Sequence, residues 1–570
     1  VSAARPLPDS TPVTQAVPGK LEQVNVRSKV LEIRSLEISL PAGAERRRAV
    51  IGLDLDVHEG EIVCLVGESG SGKSLTGDAI MRLLSGGVRI TGGSIRLDGE
   101  DLLGASEERM RALRGECMGM IFQNPMTALN PQQSIGWQID EVLRLHTTLT
   151  RAERRSRALD ILHQVHLPDP AAVLDDCPHR LSAGQRQRVM IAMALVLHPR
   201  LIIADEPTTA LDVSAQREIL ELMRGIRRAH DTGILYVTHD FGVVAEIADR
   251  VMVLRHGECV EEGGVHEVLD SPNHRHTREL IAAVPSMTPP SPRVHPDAPV
   301  VLEVHGLCKS FTRYGLVPGR IVSKMDAVKN VQFVLRAGET LGIVGESGSG
   351  KSTISRCVTR LQSADAGSVI LKRRDLRQQR DLLNASPRLL RVMRQHIQLI
   401  YQDPMTAMNP RRSVLDLVAQ GPRIHGASRS DAQTTALDML ELVELERSAA
   451  SRFPHEFSAG ERQRIAIARA MALRPRILVA DEPVSELDVS VQVGILALLA
   501  RLRDQFGLSI LFVTHDLRVA AQLCDRIAVM ERGEIVEMGP TADVFAQPVH
   551  DHTRELMASI PGREWVPPLL

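Results

Sequence analysis

Residues 67–74 read GESGSGKS, the spacing G-x-x-x-x-G-K-S. Glycines 67, 70 and 72 let the backbone curl so that successive N–H groups face a phosphate. The polar Glu68, Ser69 and Ser71 complete the loop. Lys73 brings a point charge to the β- and γ-phosphates, and the Ser74 hydroxyl is of the type that ligates Mg²⁺. An apolar run, EIVCLVG at 61–67, precedes the loop, and a helical pattern with Leu75, Ala79, Ile80, Leu83 and Leu84 on one stripe follows it. The octapeptide recurs at 345–352, supplying Gly345, Glu346, Ser347, Gly348, Ser349, Gly350, Lys351 and Ser352.

Other chemically able residues also come in pairs. Asp205 and Asp481 end the apolar runs LIIAD and ILVAD. An acid there serves the Mg²⁺ shell, usually through water. Glu206 and Glu482 come next, where a carboxylate beside the γ-phosphate can orient and deprotonate the attacking water. His239 and His515 follow a third apolar run, in VTHD, and are candidate γ-phosphate contacts. Gln123 and Gln402 offer a neutral amide that can ligate Mg²⁺ and release it cheaply. In LSAGQRQR, Ser182 stands three residues before Gln185, and in FSAGERQR, Ser458 stands three before Glu461. Both fit a capping box at a helix start, with Gly184 and Gly460 just inside the first turn.

These pairs lie in one order at a nearly constant separation of about 277 residues, the mark of a duplicated unit. FQNPMTALNP is answered by YQDPMTAMNP, and HTRELIAAVP by HTRELMASIP. Within each copy, buried-strand runs alternate with helical stretches, which predicts an α/β fold with ligands at the carboxyl ends of parallel strands. The spacing places one domain at 29–285 and a second at 300–561, with a proline-rich linker at 286–299 and a short tail at 562–570. Residues 1–28, rich in Pro, Ser and Thr, read as a disordered tail without the apolar core of a secretory signal.

The 570-residue chain carries a net charge of −2, which gives no support to a nucleic-acid binder. Its seven cysteines are scattered without a C-x-x-C and read as free thiols. No apolar run reaches the roughly 18 residues of a membrane-spanning helix, so membrane contact is expected only through a partner.

The joint order of these motifs, twice over, resembles the ABC ATPase family. FQNPMTALNP, THDFGVVAEIADRV and the HTREL tails resemble its peptide, nickel and glutathione importer branch. The resemblance implies two tandem P-loop domains, each with a RecA-like core and a helical subdomain, pairing as a pseudo-dimer that binds and hydrolyses ATP with Mg²⁺. It places each ATP between the P-loop of one half and the LSAGQ-type signature of the other. Lys73, Ser74, Gln123, Asp205, Glu206 and His239 then work against Ser458 and Gly460. Lys351, Ser352, Gln402, Asp481, Glu482 and His515 work against Ser182 and Gly184. Asp212 and Asp488 match the loop that couples the sites. The implied partners are two membrane permeases and a solute-binding protein, at the cytoplasmic face of the membrane. Ala183 and Ala459 depart from the usual signature glycine, and Glu461 from the usual glutamine. Glu486 occupies a usually small position. Phe311 stands where an aromatic stacks on adenine, and Leu40 replaces it in the first half. The segment after the first domain has no cysteine, so no iron–sulfur cluster is expected. Ribosome-bound tandem ATPases carry a long charged linker, and DNA-repair relatives carry zinc cysteines or coiled coils. Neither feature is present in this sequence.

Overall fold

A computed structural model describes residues 28–43, 46–209, 211–290, 297–314, 321–372, 380–485 and 487–568. Glu486, most of the N-terminal tail and part of the proline-rich linker lie outside the described residues.

Each half has two sheets. In the first, a four-stranded antiparallel sheet runs in the order Arg48–His58, Lys29–Ser39, Arg89–Leu97, Glu100–Asp101. A six-stranded sheet runs Glu258–Gly264, Arg250–Arg255, Ile62–Gly67, Gly233–Thr238, Leu201–Asp205, Met118–Ile121. All its neighbours pair parallel except Glu258–Gly264. The second half repeats both sheets, with Thr340–Gly345 in the place of Ile62–Gly67.

The alternation of one strand explains the layers. Val63 and Leu65 pack with Leu31, Ile33 and Ile80 between the two sheets. Ile62, Cys64 and Val66 point the other way, into a core shared with the helices. A strand buried on both faces must be apolar throughout, as Ile62–Gly67 is. The helices Ile135–His146, Arg151–Gln164 and Ala183–Leu195 start at Ser134, Thr150 and Ser182, whose hydroxyls cap the first turn. In the second half Val414–Ile424, Arg429–Leu442 and Ala459–Met471 take the same places.

The helix after the first phosphate loop is shorter than its sequence stripe predicts. It spans Lys73–Ile80, and Arg82 turns left-handed at φ 51°. Leu83 therefore lies beyond the helix and is 41% exposed.

The two halves exchange their C-terminal segments. The Gly562 N–H donates to Glu246 at 3.0 Å, the Trp565 indole to Asp270 at 3.2 Å, and Trp565 packs on the first half's core. In return, the Gln522 amide donates to the Ser286 carbonyl at 2.9 Å, and Met287 packs on the second half's core.

Candidate active sites

The strand Ile62–Gly67 delivers its loop straight into the helix at Lys73. Gly72 has φ 106°, and a Cβ there would lie 2.6 Å from the Ala49 carbonyl oxygen, so no other residue fits. Gly350 repeats this against Ala327 at 2.1 Å. The Lys73 ammonium is buried and donates to the Gly67 and Glu68 carbonyls at 2.7 and 2.9 Å. Lys351 does the same to Gly345 and Glu346 at 2.8 and 2.7 Å. Burial lowers the pKa of Lys73, and the carboxylates of Glu206, Asp488 and Asp205 oppose that shift.

Beside each lysine stands the expected acidic pair. Ser74 donates its hydroxyl to Asp205 at 2.9 Å, and Ser352 to Asp481 at 2.9 Å. Burial pushes both aspartates up to about 6. The strand Leu201–Asp205 ends there, and Glu206 turns into the left-handed region at φ 45°. Glu482 does the same at φ 47°. Such a backbone costs of order 1–3 kcal/mol for a non-glycine residue. Backbone bonds of 2.9 Å from Glu206 to Val237 and from Glu482 to Val513 hold it in place.

That turn gathers the remaining groups. Glu206 accepts the Gln123 amide at 2.8 Å, lies 3.1 Å from His239 Nδ1, and accepts the Thr209 hydroxyl at 3.0 Å. Glu482 accepts Gln402 at 3.1 Å and lies 3.1 Å from His515 Nδ1. The Ser485 hydroxyl goes instead to the Glu482 carbonyl at 3.2 Å, so among the described residues no hydroxyl donates to the second glutamate's carboxylate. Thr209 was not among the sequence candidates. The contrast of EPTTALD with EPVSELD was the available signal.

Burial alone would push the His239 imidazole down, but the bond to Glu206 and its charge, with Asp240 and Asp488 behind, hold it above its usual 6.5. Burial would raise Glu206, and His239, Lys73 and Thr209 together keep it below its usual 4.5. The depressed acid stabilises the fold above pH 4.5 and loses that contribution as pH falls. The raised base stabilises it below pH 6.5 and loses that contribution as pH rises. The pair is therefore strongest between those values. The melting temperature of the nucleotide-free protein, compared with that of His239→Gln, is expected to show its largest gap near pH 5–6 and a shrinking one toward pH 9. A gap that grows with pH would contradict this.

The second site is shaped partly by the first half. The Ser347 N–H donates to Asp212 Oδ2 at 3.1 Å across the two halves. A cavity of about 280 Å³ is lined by Leu211 and Asp212 on one side and by Lys351, Ser352, Glu482 and His515 on the other. The charge of Asp488 acts in return on Lys73 and His239.

Ser182 and Ser458 cap their helices as the sequence predicts. Ser182 accepts the Gln185 N–H at 3.2 Å, and its own N–H donates to the Gln185 side chain at 2.9 Å. At Ser458 the N–H and the hydroxyl both donate to the Glu461 carboxylate, at 2.8 and 2.7 Å. Among the described residues, no hydrogen bond joins either serine to the opposite phosphate loop. Ser182 is exposed and Gly184 half-buried, whereas Gly460 is buried. Phe311 is 41% exposed, and Leu40 is half-buried on the first half's core.

The sequence profile described as "ABC transporter" matches residues 50–209 and again 328–485. This chain belongs to the ABC transporter family. It is an ABC ATPase with two cassettes in one chain, and its cassettes bind ATP. ATP-binding proteins of this family work with membrane permeases in a transporter complex. A second profile, "Oligopeptide/dipeptide transporter, C-terminal region", matches 260–313 and 536–564. The chain is 43% identical over 535 residues to the peptidoglycan transport ATP-binding protein YejF of Agrobacterium fabrum, covering 93% of this chain and 96% of that one. It is 42% identical over 571 residues to the glutathione import ATP-binding protein GsiA of Escherichia coli K12, covering 94% and 90%. Among the described residues, no helix is long and apolar enough to cross a membrane.

Proposed function

We propose that this ABC ATPase energises an importer of di- or oligopeptides or a related small solute, by hydrolysing ATP at two composite sites between its halves. The contact of Asp212 with Ser347 supports the composite reading most directly, because one half's coupling loop already touches the other half's phosphate loop. The importer branch is supported by the peptide-transporter C-terminal regions and by relatives named for glutathione and peptidoglycan transport. The chain would sit at the cytoplasmic face of the membrane, held by two permeases, with a separate solute-binding protein delivering the substrate.

In this reading ATP lies on the loops 67–74 and 345–352, with its phosphates facing the loop N–H groups and the lysines. A hydroxyl, a carboxylate and an amide suit a hard cation. Ser74, Asp205 and Gln123 would hold Mg²⁺ at one site, and Ser352, Asp481 and Gln402 at the other. When bound, the ion neutralises charge on the β- and γ-phosphates. Glu206 and Glu482 orient the attacking water and accept its proton. His239 and His515 fix their glutamate through Nδ1 and keep Nε2 for the γ-phosphate. The signature helices bring free N–H groups and a positive dipole end to the same phosphate from the opposite half. ATP thereby completes the interface, and its hydrolysis lets the halves part.

The Glu461 carboxylate occupies the helix end that this anion would use. Glu461→Gln is expected to raise turnover at the Lys73 site by about two- to fivefold, since a charge at a helix end carries about 0.3–1 kcal/mol. An unchanged or lower single-turnover rate, measured in a Lys351→Ala background, would overturn this.

Purification of the membrane complex tests the function itself. Permeases should co-purify, and the reconstituted complex should take up a di- or tripeptide only with hydrolysable ATP. Ribosomes or DNA as the bound partner would reject the importer reading.

A further inference from the structure

The two sites also differ at the rim beside each phosphate loop. Ala49 and Ala327 are equivalent, since each packs its carbonyl against the last glycine of its loop. At the Lys351 site Met325, two residues before that alanine, lines the cavity together with Ala327. The rim there is Lys324, Met325, Asp326, and at the Lys73 site it is Arg46, Arg47, Arg48.

The second rim is neutralised and offers an aromatic face. Lys324 lies 3.4 Å from Asp326, which also accepts the Ser310 hydroxyl at 2.7 Å. Lys309 is paired to Asp365 at 2.7 Å, with its ammonium 5.7 Å from the Phe311 ring centroid. Phe311 sits across from Met325 in the strand pair.

The first rim is cationic and has no ring. Leu40 holds the Phe311 position, its N–H bonded to the Arg47 carbonyl at 2.9 Å. Arg48 is matched by Glu37 at 3.2 Å. Arg46 reaches over the phosphate loop itself. Its Nη2 donates to the Gly70 carbonyl, and its Nη1 is buried and, among the described residues, has no hydrogen-bond partner. A buried guanidinium nitrogen left unsatisfied is costly, and an acceptor brought to it is correspondingly favourable.

We infer that the two sites hold nucleotide by different means. The Lys73 site reads the triphosphate through the Arg46 rim, whereas the Lys351 site has Phe311, which the family resemblance already places on the base. Arg46 is a specificity-determining residue of the first site. A guanidinium suits this role because its planar fork matches phosphate oxygens with more than one N–H. The inference rests on the reading that both phosphate loops bind ATP.

The test uses the full chain with one site disabled: Lys351→Ala leaves the first site and Lys73→Ala leaves the second. Inorganic triphosphate and ATP compete for a fluorescent ATP analogue, with Mg²⁺ present, over a range of salt. At the first site triphosphate is expected to bind within a few-fold of ATP, with steep salt dependence. At the second site ATP is expected to bind about tenfold more tightly than triphosphate, as base–aromatic stacking predicts. Phe311→Ala should erase that preference. Arg46→Met should weaken both ligands at the first site by about tenfold and flatten the salt dependence, while Arg46→Lys should keep most of the affinity. A tenfold preference for ATP at the first site, or unchanged binding in Arg46→Met, overturns the inference. The triphosphate-to-ATP ratio of the unaltered rim decides the matter even if Arg46→Met fails to fold. Absence of ATP binding at both isolated sites would overturn the proposed function instead.

Discussion

Glu206→Gln and Glu482→Gln will each lower ATP turnover of the assembled transporter by about 10²–10⁴-fold, the usual cost of losing a general base. That is about 3–5 kcal/mol on the barrier. The substitution is isosteric and leaves an amide oxygen to accept from His239 or His515. At position 206 the new amide nitrogen gives up the bond accepted from Gln123. The backbone bonds to Val237 and Val513 still hold the turns at φ 45° and 47°. Lys73 and Lys351 make their contacts to their own loops, not to the glutamates, so ATP binding should persist in both variants. Both single variants should lose nearly all turnover because each site's opening and closing moves the other through the shared interface. Single-turnover hydrolysis and ATP binding, measured side by side, check this. A variant that kept half of the wild-type rate would show that its partner site cycles alone.

The duplicated phosphate loops, the acids ending LIIAD and ILVAD, and the histidines of VTHD could all be placed from sequence because buried parallel strands are continuously apolar and end at the site. The capping boxes were legible for a similar reason: Ser182 and Gln185 satisfy each other within one turn. What could not be read was everything set by distant packing. The antiparallel sheets formed by Lys29–Ser39 and Val300–Tyr314 depend on pairings that no local pattern fixes. The left-handed turn at Glu206 is held by a backbone bond to Val237, which belongs to another segment. The stripe through Leu83 misled because periodicity does not record where Arg82 ends the helix.

The exchanged tails were equally invisible, and they bear on how the chain moves. Gly562 and Trp565 hold the first half, and Ser286 and Met287 hold the second. Arg518 is buried in the same seam, 3.8 Å from Asp240 and bonded to the Pro561 carbonyl at 2.5 Å. Its counterpart is Gly242, where a Cβ would lie 2.5 Å from Arg518 Nη1. The seam is thus filled from one side only. These contacts tie the halves together at a seam that involves neither phosphate loop. In the proposed reading, ATP closes the interface by bringing Ser182 and Ser458 onto the opposite loops.

That closure is what Ser182→Asp attacks. Aspartate caps a helix as well as serine does, so Ala183–Leu195 should keep its start and the fold its stability. The new carboxylate, however, would face the γ-phosphate held by Lys351 in the second half. Gln185 is neutral, so nothing at this helix end already carries that charge, in contrast to Glu461 beside Ser458. Repulsion between two anions in a closing, water-poor interface should cost the Lys351 site about a hundredfold in turnover, or about 3 kcal/mol. The decisive measurement is a double-variant comparison of single-turnover hydrolysis, which an intact site performs once even when its partner cannot cycle. Ser182→Asp added to Lys351→Ala should cause no further loss, because both act on one site. Ser182→Asp added to Lys73→Ala should bring turnover to background, because each disables a different site. The reverse pattern, with Ser182 coupled to Lys73, would mean that each half closes its own site and that the composite arrangement is wrong.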